Sequence, residues 1–323
     1  MKFIFITPHL QASGGIITII RLAESVMALG HRVILATPAR IQCGWTRFQV
    51  QTAQIPNYQP RDFRDADWVI TFGDTPPNTI LKWQSKYGKP LLFIQGLHIP
   101  EVEIPNIRSG FYAICTTSRW LTDEVRELAP NRKVIEIGFG IEHELFYPDT
   151  APPSGNLVGM IYHPHWVKGM PIGFSAFRLV QQMRPDLNLG LLLLGTNLNG
   201  VPHDFQAQLV TNPPRQDIRR SYAACRVWLV PSIYEGLGMP ILEAQACGVP
   251  VISTDHMGAR EFPPESLTVV PICDAGRMAM KIIHLIENQT DRQRQIRAGL
   301  QFAAQCTFEC MARRLVEGLG NLK

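Results

Sequence analysis

No stretch of this 323-residue sequence is apolar for long enough to cross a membrane. The first apolar run, residues 3–6, is too short for the core of a secretion signal, so no leader is expected. Charge is scarce at 18% of residues, and the net charge is only +4. It is also evenly spread. Residues 1–150 hold 15 Lys and Arg against 14 Asp and Glu, and the remainder holds 16 against 13. Neither part is a basic module for a polyanion, so nucleic acid is not expected as a partner. The seven cysteines include no C-x-x-C pair. An odd number without disulfide-like spacing implies a reducing compartment, and a cytoplasmic protein is expected. His163-x-His165 could start a metal site, but no third ligand stands near it, so no metal is expected. Low-complexity tracts and short-period repeats are lacking as well.

What is present is an apolar content of 46% over a length that suits two domains. Predicted strands alternate with predicted helices twice over. The first series opens with a strand at 2–7, a loop at 8–15 and a helix at 16–29. Strands follow at 33–37, 68–72, 91–95, 113–117 and 133–137, with helices at 78–87 and 118–128. Residues 100–107 read as an irregular acidic loop. DTAPPSGN at 149–156 reads as a linker. The second series has strands at 157–162, 189–194, 209–212, 227–230, 250–254 and 267–270, followed by helices at 275–288 and 291–305. This is the pattern of an α/β chain built from two doubly wound units. Domains are expected at 1–150 and 151–307, with a last helix at 308–323.

One stretch organises the rest: VWLVPSIYEGLGMPILEAQACGVPVIST at 227–254. It reads as strand, glycine loop, helix, strand. Gly236 and Gly238 let backbone approach a ligand closely. Pro240 suits a first helical position, where its missing N–H costs nothing, and Gly248 suits the helix end. Free backbone N–H groups and a positive helix end then meet above the sheet, which makes an anion site. Glu235 and Glu243, eight positions apart, are poor phosphate ligands but good acceptors for vicinal hydroxyls. The stretch asks for a ligand with both phosphate and sugar.

EGLGMPILEAQACGVPVI resembles the E-x7-E signature of retaining glycosyltransferases of family 4, with the GT-B fold. The likeness covers about twenty residues, from the Pro-Ser before the loop to the GVPVI after the helix. It implies two Rossmann-like domains with a cleft between them and a terminal helix crossing back to the first. It implies that Glu235 contacts hydroxyls of the transferred sugar and that Glu243, placed in the first turn after Pro240, contacts the nucleotide ribose. Gly236, Leu237 and Gly238 would receive phosphate. Lys168-Gly169 resembles the family's K-G, whose lysine binds the diphosphate. His163 or His165 stands where the family usually has an arginine, and an ordinary imidazole is mostly neutral near pH 7. Gly14-Gly15 resembles the family's opening turn, which faces the sugar nucleotide from the first domain. His98 lies in a loop where a family histidine often touches the transferred sugar. Val210 begins a segment, 210–213, that would run past the nucleobase. GFGIEHELFYP at 138–148 resembles the family's NGVD turn, with Glu142 in place of Asp.

The implied reaction is retaining, metal-independent transfer from a nucleotide-diphospho-sugar to a glycan, lipid or small-molecule acceptor. No cofactor is implied beyond that co-substrate. A lipid-linked acceptor would bring the protein to a membrane surface without an anchor. A binding subunit with a degenerate site and a nucleotide-sugar epimerase are the alternatives. Sugar, nucleotide, acceptor and oligomeric state are not legible.

Overall fold

The computed structural model describes residues 1–41, 43–58, 65–72, 80–81, 87–97, 100–150, 153, 155–197, 199–202 and 206–322. The chain forms two compact units. One comprises Met1–Gly140 with Cys306–Lys323, and the other comprises Ile141–Gln305. No helix among the described residues is long and apolar enough to cross a membrane.

The first unit holds a seven-stranded parallel sheet of β1 (Lys2–Ile6), β2 (Arg32–Thr37), β3 (Gln51–Gln54), β4 (Trp68–Phe72), β5 (Lys89–Ile94), β6 (Ala113–Thr116) and β7 (Lys133–Glu136). Their order is β3-β2-β1-β4-β5-β6-β7. Helices α1 (Gly14–Ala28), α2 (Pro100–Arg108) and α3 (Arg119–Leu128) connect them. β1 is buried on both faces, as a strand covered by helices must be. Phe3 and Phe5 join one apolar cluster, and Ile4 and Ile6 join the other. Ser13 caps α1 by accepting from the Ile16 N–H at 3.2 Å.

Residues 100–107, expected as an irregular loop, form α2. Pro105 inside it disguises the helical pattern, while Glu101 and Glu103 in its first turn suit the positive helix end. The helix expected at 78–87 falls mostly outside the described residues.

The second unit holds a six-stranded parallel sheet of β8 (Leu157–Ile161), β9 (Gly190–Gly195), β10 (Ala207–Thr211), β11 (Cys225–Val230), β12 (Val251–Thr254) and β13 (Thr268–Val270). The order is β10-β9-β8-β11-β12-β13. Its helices are α4 (Met170–Met183), α5 (Ile218–Ala223), α6 (Met239–Ala246), α7 (Ala275–Glu287) and α8 (Gln289–Ala303). α4 and α7 cover one face through Phe174, Phe177, Val180, Met278 and Ile282. α6 ends where Gly248 takes φ of +73°. The Gly248 N–H donates to Gln245 O at 3.0 Å and the Val249 N–H to Ala244 O at 2.9 Å, which satisfies two of the last carbonyls.

Residues 141–150, expected with the first domain, group with the second unit. Glu142 is 3% exposed and paired with Arg215, Asp149 pairs with Arg219, and Phe146 packs edge-on against Tyr222. The last helix, α9 (Phe308–Gly320), belongs to the first unit. Met311, Leu315 and Leu319 enter the cluster around α1, and a side chain at Gly318 would come within 2.5 Å of Ile135.

Candidate active site

Each sheet reverses its strand order once, between β1 and β4 in the first and between β8 and β11 in the second. Ligands of open α/β sheets bind at such points, outside the carboxyl ends of the strands. Every loop singled out by its glycines follows one of these strands. Gly14 and Gly15 open α1 after β1, 163–169 follows β8, and 231–238 follows β11.

The two loops of the second unit are tied together. The Ile233 N–H donates to Val167 O at 2.7 Å. Gly169, at φ of +60°, ends a short 3-10 turn over Trp166–Lys168 and opens α4. A Cβ there would lie 1.9 Å from Pro231 O, so only glycine lets these loops meet. Gly169→Ala is expected to cost about 3 kcal/mol, from overpacking together with the left-handed backbone. Equilibrium unfolding in denaturant measures it, and an unchanged midpoint would contradict the close approach.

This contact places Lys168 against Glu235. Lys168 Nζ lies 2.7 Å from Glu235 Oε1, and Ser232 Oγ donates to the same oxygen at 2.8 Å. Glu235 is 7% exposed. Its Oε2 accepts no hydrogen bond among the described residues. Beyond it, Gly238 takes φ of +90° and opens α6, with Pro240 in the first turn. The N–H groups of Leu237, Gly238 and Met239 donate to no acceptor among the described residues. The site thus combines one ammonium, three free amides and a positive helix end with one buried carboxylate. Such a set suits an anion with hydroxyls attached.

A second loop, after β12, backs the glycine loop. A Cβ on Gly258 would come 2.5 Å from Leu237 O. His256, 1% exposed, lies against Gly238, and its Nδ1 accepts from the Ala259 N–H at 3.1 Å. Burial pulls the His256 pKa from 6.5 down to about 4. The unfolded chain therefore takes up a proton near pH 6.5 that the folded chain refuses until about pH 4. Stability is expected to fall as pH drops through that window, by on the order of 3 kcal/mol from this residue. His256→Asn should flatten the slope in denaturant melts between pH 7 and pH 4, and an identical slope would contradict this origin.

His163 is also held below its ordinary pKa, first by lost hydration, then by the Lys168 ammonium and His165, with Glu235 opposing. Its Nδ1 accepts from the His165 N–H at 3.1 Å. The neutral ring then carries its proton on Nε2 and offers a neutral donor where the family's arginine would offer a charge.

Glu243 lies in the second turn of α6, not the first. Its Oε2 accepts from Tyr222 Oη at 2.6 Å. Burial raises its pKa, while Tyr222 and Arg215 oppose the rise. Arg215 is itself held by Glu142 and lies over the Phe146 ring at 5.9 Å. Tyr222, Arg215, Ser232 and His256 are site neighbours that sequence reading missed. Only Ser232, in the Pro-Ser before the glycine loop, had a local signal.

In the first unit, a Cβ on Gly15 would lie 2.8 Å from the Phe72 ring, and Gln95 Nε2 donates to Gly15 O at 3.2 Å. A Cβ on Gly14 would meet nothing within 4 Å. Val210 sits partly buried in the edge strand β10, separated from β11 by β9 and β8. His98 lies outside the described residues. A D-x-D spacing occurs at Asp65-Ala66-Asp67, but Asp67 Oδ2 accepts from the Lys2 N–H at 2.7 Å, at the opposite end of the sheet from these loops. No group of three metal-ligating side chains occurs among the described residues.

Residues 155–288 match the family model described as Glycosyl transferases group 1. The match falls within the second unit. The matched segment contains Lys168, Glu235, Glu243 and both loops. Over 96 residues the chain is 33% identical to O-antigen chain mannosyltransferase B of Escherichia coli, covering 30% of this chain and 25% of that protein. It is 34% identical over 189 residues to the GDP-mannose-dependent monoacylated alpha-(1-6)-phosphatidylinositol monomannoside mannosyltransferase of Corynebacterium glutamicum, covering 53% and 48%. The matches thus span between a quarter and a half of these relatives. Whole-chain likeness is found among solved structures. Sucrose-phosphate synthase from Thermosynechococcus elongatus gives a TM-score of 0.81 at 18% identity, covering 99% of this chain and 98% of that one. HepE of Anabaena, solved with UDP and glucose, gives 0.74 at 15% identity, covering 99% and 100%. The chain is therefore of the GT-B fold class, with two parallel-sheet Rossmann-like units.

Proposed function

We propose that this protein is a retaining glycosyltransferase that takes a hexose from a nucleotide-diphospho-sugar and builds a bacterial-type glycan or glycolipid. The observation that carries the reading is the Lys168–Glu235 pair beside the free amides of 237–239. Lys168, those amides and the helix end would stabilise the diphosphate as the C1–O bond breaks, as charges already in place. Glu235 Oε2 would accept from the sugar's hydroxyls, and Glu243 Oε1 from the ribose. His163 would add a neutral donor. Gly14 and Gly15 would approach the sugar nucleotide, and Val210 would border the base. His98 remains the proposed contact to the transferred sugar. No carboxylate is assigned below C1, so the acceptor would attack the face the diphosphate leaves, with a phosphate oxygen taking its proton. That route requires neither a metal nor a cofactor.

The relatives named as mannosyltransferases favour a mannosyl donor and an acceptor in polysaccharide or lipid-glycan assembly. The neighbour solved with UDP and glucose favours a sugar nucleotide as the donor. The test supplies UDP-glucose or GDP-mannose with a mixture of polyprenyl-linked and inositol acceptors. Acceptor-dependent release of nucleoside diphosphate, with an α-linked product by NMR, is the expected result. Binding without turnover would instead indicate an accessory subunit, and interconversion of sugar nucleotides without acceptor an epimerase.

A further inference from the structure

Glu243 is usable as a ligand contact only if its carboxylate is held in place and ionised. Its Oε2 already has a partner in Tyr222 Oη at 2.6 Å, whereas Oε1 carries no hydrogen bond among the described residues. Tyr222 is fully buried, gripped by Trp228 with ring centroids 4.2 Å apart and by Phe146 at 6.1 Å. Its hydroxyl therefore has one direction in which to point. Behind the pair stands Arg215, fixed through a charged hydrogen bond to the buried Glu142. α6, α5 and the segment 141–146 thus converge on one carboxylate.

We propose that Tyr222 is a positioning residue, which clamps one oxygen of Glu243 and leaves the other presented to the ribose diol of the bound nucleotide. The inference rests on the sugar-nucleotide reading above. The phenol can only donate here: burial and the neighbouring carboxylate push the Tyr222 pKa up, so its proton stays on. The donated bond favours ionised Glu243 against burial. The other groups facing Glu243 are Arg215, which also favours the ionised form, and Glu142, which disfavours it. Cys247 completes the surroundings, its own pKa raised by burial and then by Glu243.

Removing the hydroxyl should therefore shift Glu243 titration upward. In Tyr222→Phe, which keeps the packed ring, nucleoside diphosphate affinity is expected to drop about tenfold. The acid limb of affinity against pH should also move to higher pH. Calorimetric titration uses whichever of UDP and GDP binds the wild type. If neither binds, the sugar-nucleotide reading fails and takes this inference with it. If one binds and Tyr222→Phe leaves both affinity and acid limb unmoved, the inference alone is overturned. A Glu243→Ala background provides the second check. Adding Tyr222→Phe to it should cost no further affinity, because the tyrosine acts through the carboxylate. A further tenfold loss in that background would mean that Tyr222 merely supports the fold, and the proposal would fail.

Discussion

Lys168→Ala is expected to cut kcat/KM by roughly 30- to 150-fold, equivalent to about 2–3 kcal/mol for one charged contact to a leaving diphosphate. The loss should appear in kcat as well as in KM, because charge on the leaving oxygen grows as C1–O breaks. Lys168 is the ammonium that pairs with Glu235 at the start of the glycine loop, and His163, its pKa held below the ordinary value, is no cationic substitute. The alanine variant also strips a buried carboxylate of its partner. A melting curve must therefore accompany the kinetics, so that lost folding is not counted as lost catalysis. Wild-type kcat/KM in a folded variant would remove Lys168 from the leaving-group site.

The second large effect separates the two glutamates. Glu235 lies before the glycine loop, with Oε1 fixed by Lys168 and Ser232 and Oε2 accepting no hydrogen bond among the described residues. Glu243 lies a helical turn past Gly238, on the side of Tyr222 and Arg215. Glu235→Gln is expected to spare binding of free nucleoside diphosphate and to weaken only the intact sugar nucleotide. Glu243→Gln should weaken both. Each lost charged hydrogen bond is worth about 1.5–3 kcal/mol, which is tenfold or more in affinity. Calorimetry with both ligands on both variants reads the difference. Equal losses for both ligands in both variants would contradict the division of labour.

Much of this was legible from local pattern. Strand, glycine loop, N-terminal proline and C-terminal glycine at 227–254 are short-range signals, and they placed β11, α6 and β12 correctly. The two-unit α/β architecture followed from alternation alone. Pairings across the chain were not legible. Lys168 and Glu235 are 67 residues apart, and Arg215 and Glu142 are 73. No periodicity links such partners, so Tyr222, Arg215 and His256 carried no signal of their own. Residues 141–150 group with the second unit, where Glu142 forms a buried ion pair that composition does not announce. α2 was missed because Pro105 breaks the helical pattern while the fold still holds the helix.

The most direct test is a thermal-shift panel of sugar nucleotides, with UDP-glucose and GDP-mannose against their free nucleoside diphosphates and unrelated nucleotides such as NAD. A ligand at a hundred times its Kd adds about 2.7 kcal/mol, enough to raise Tm by roughly 5–10 °C. At least one sugar nucleotide is expected to produce such a shift, larger than that of its own nucleoside diphosphate, and the excess should vanish in Glu235→Gln. A panel in which no sugar nucleotide raises Tm, or in which the excess survives in Glu235→Gln, would contradict the assignment of the Lys168–Glu235 site to a sugar nucleotide.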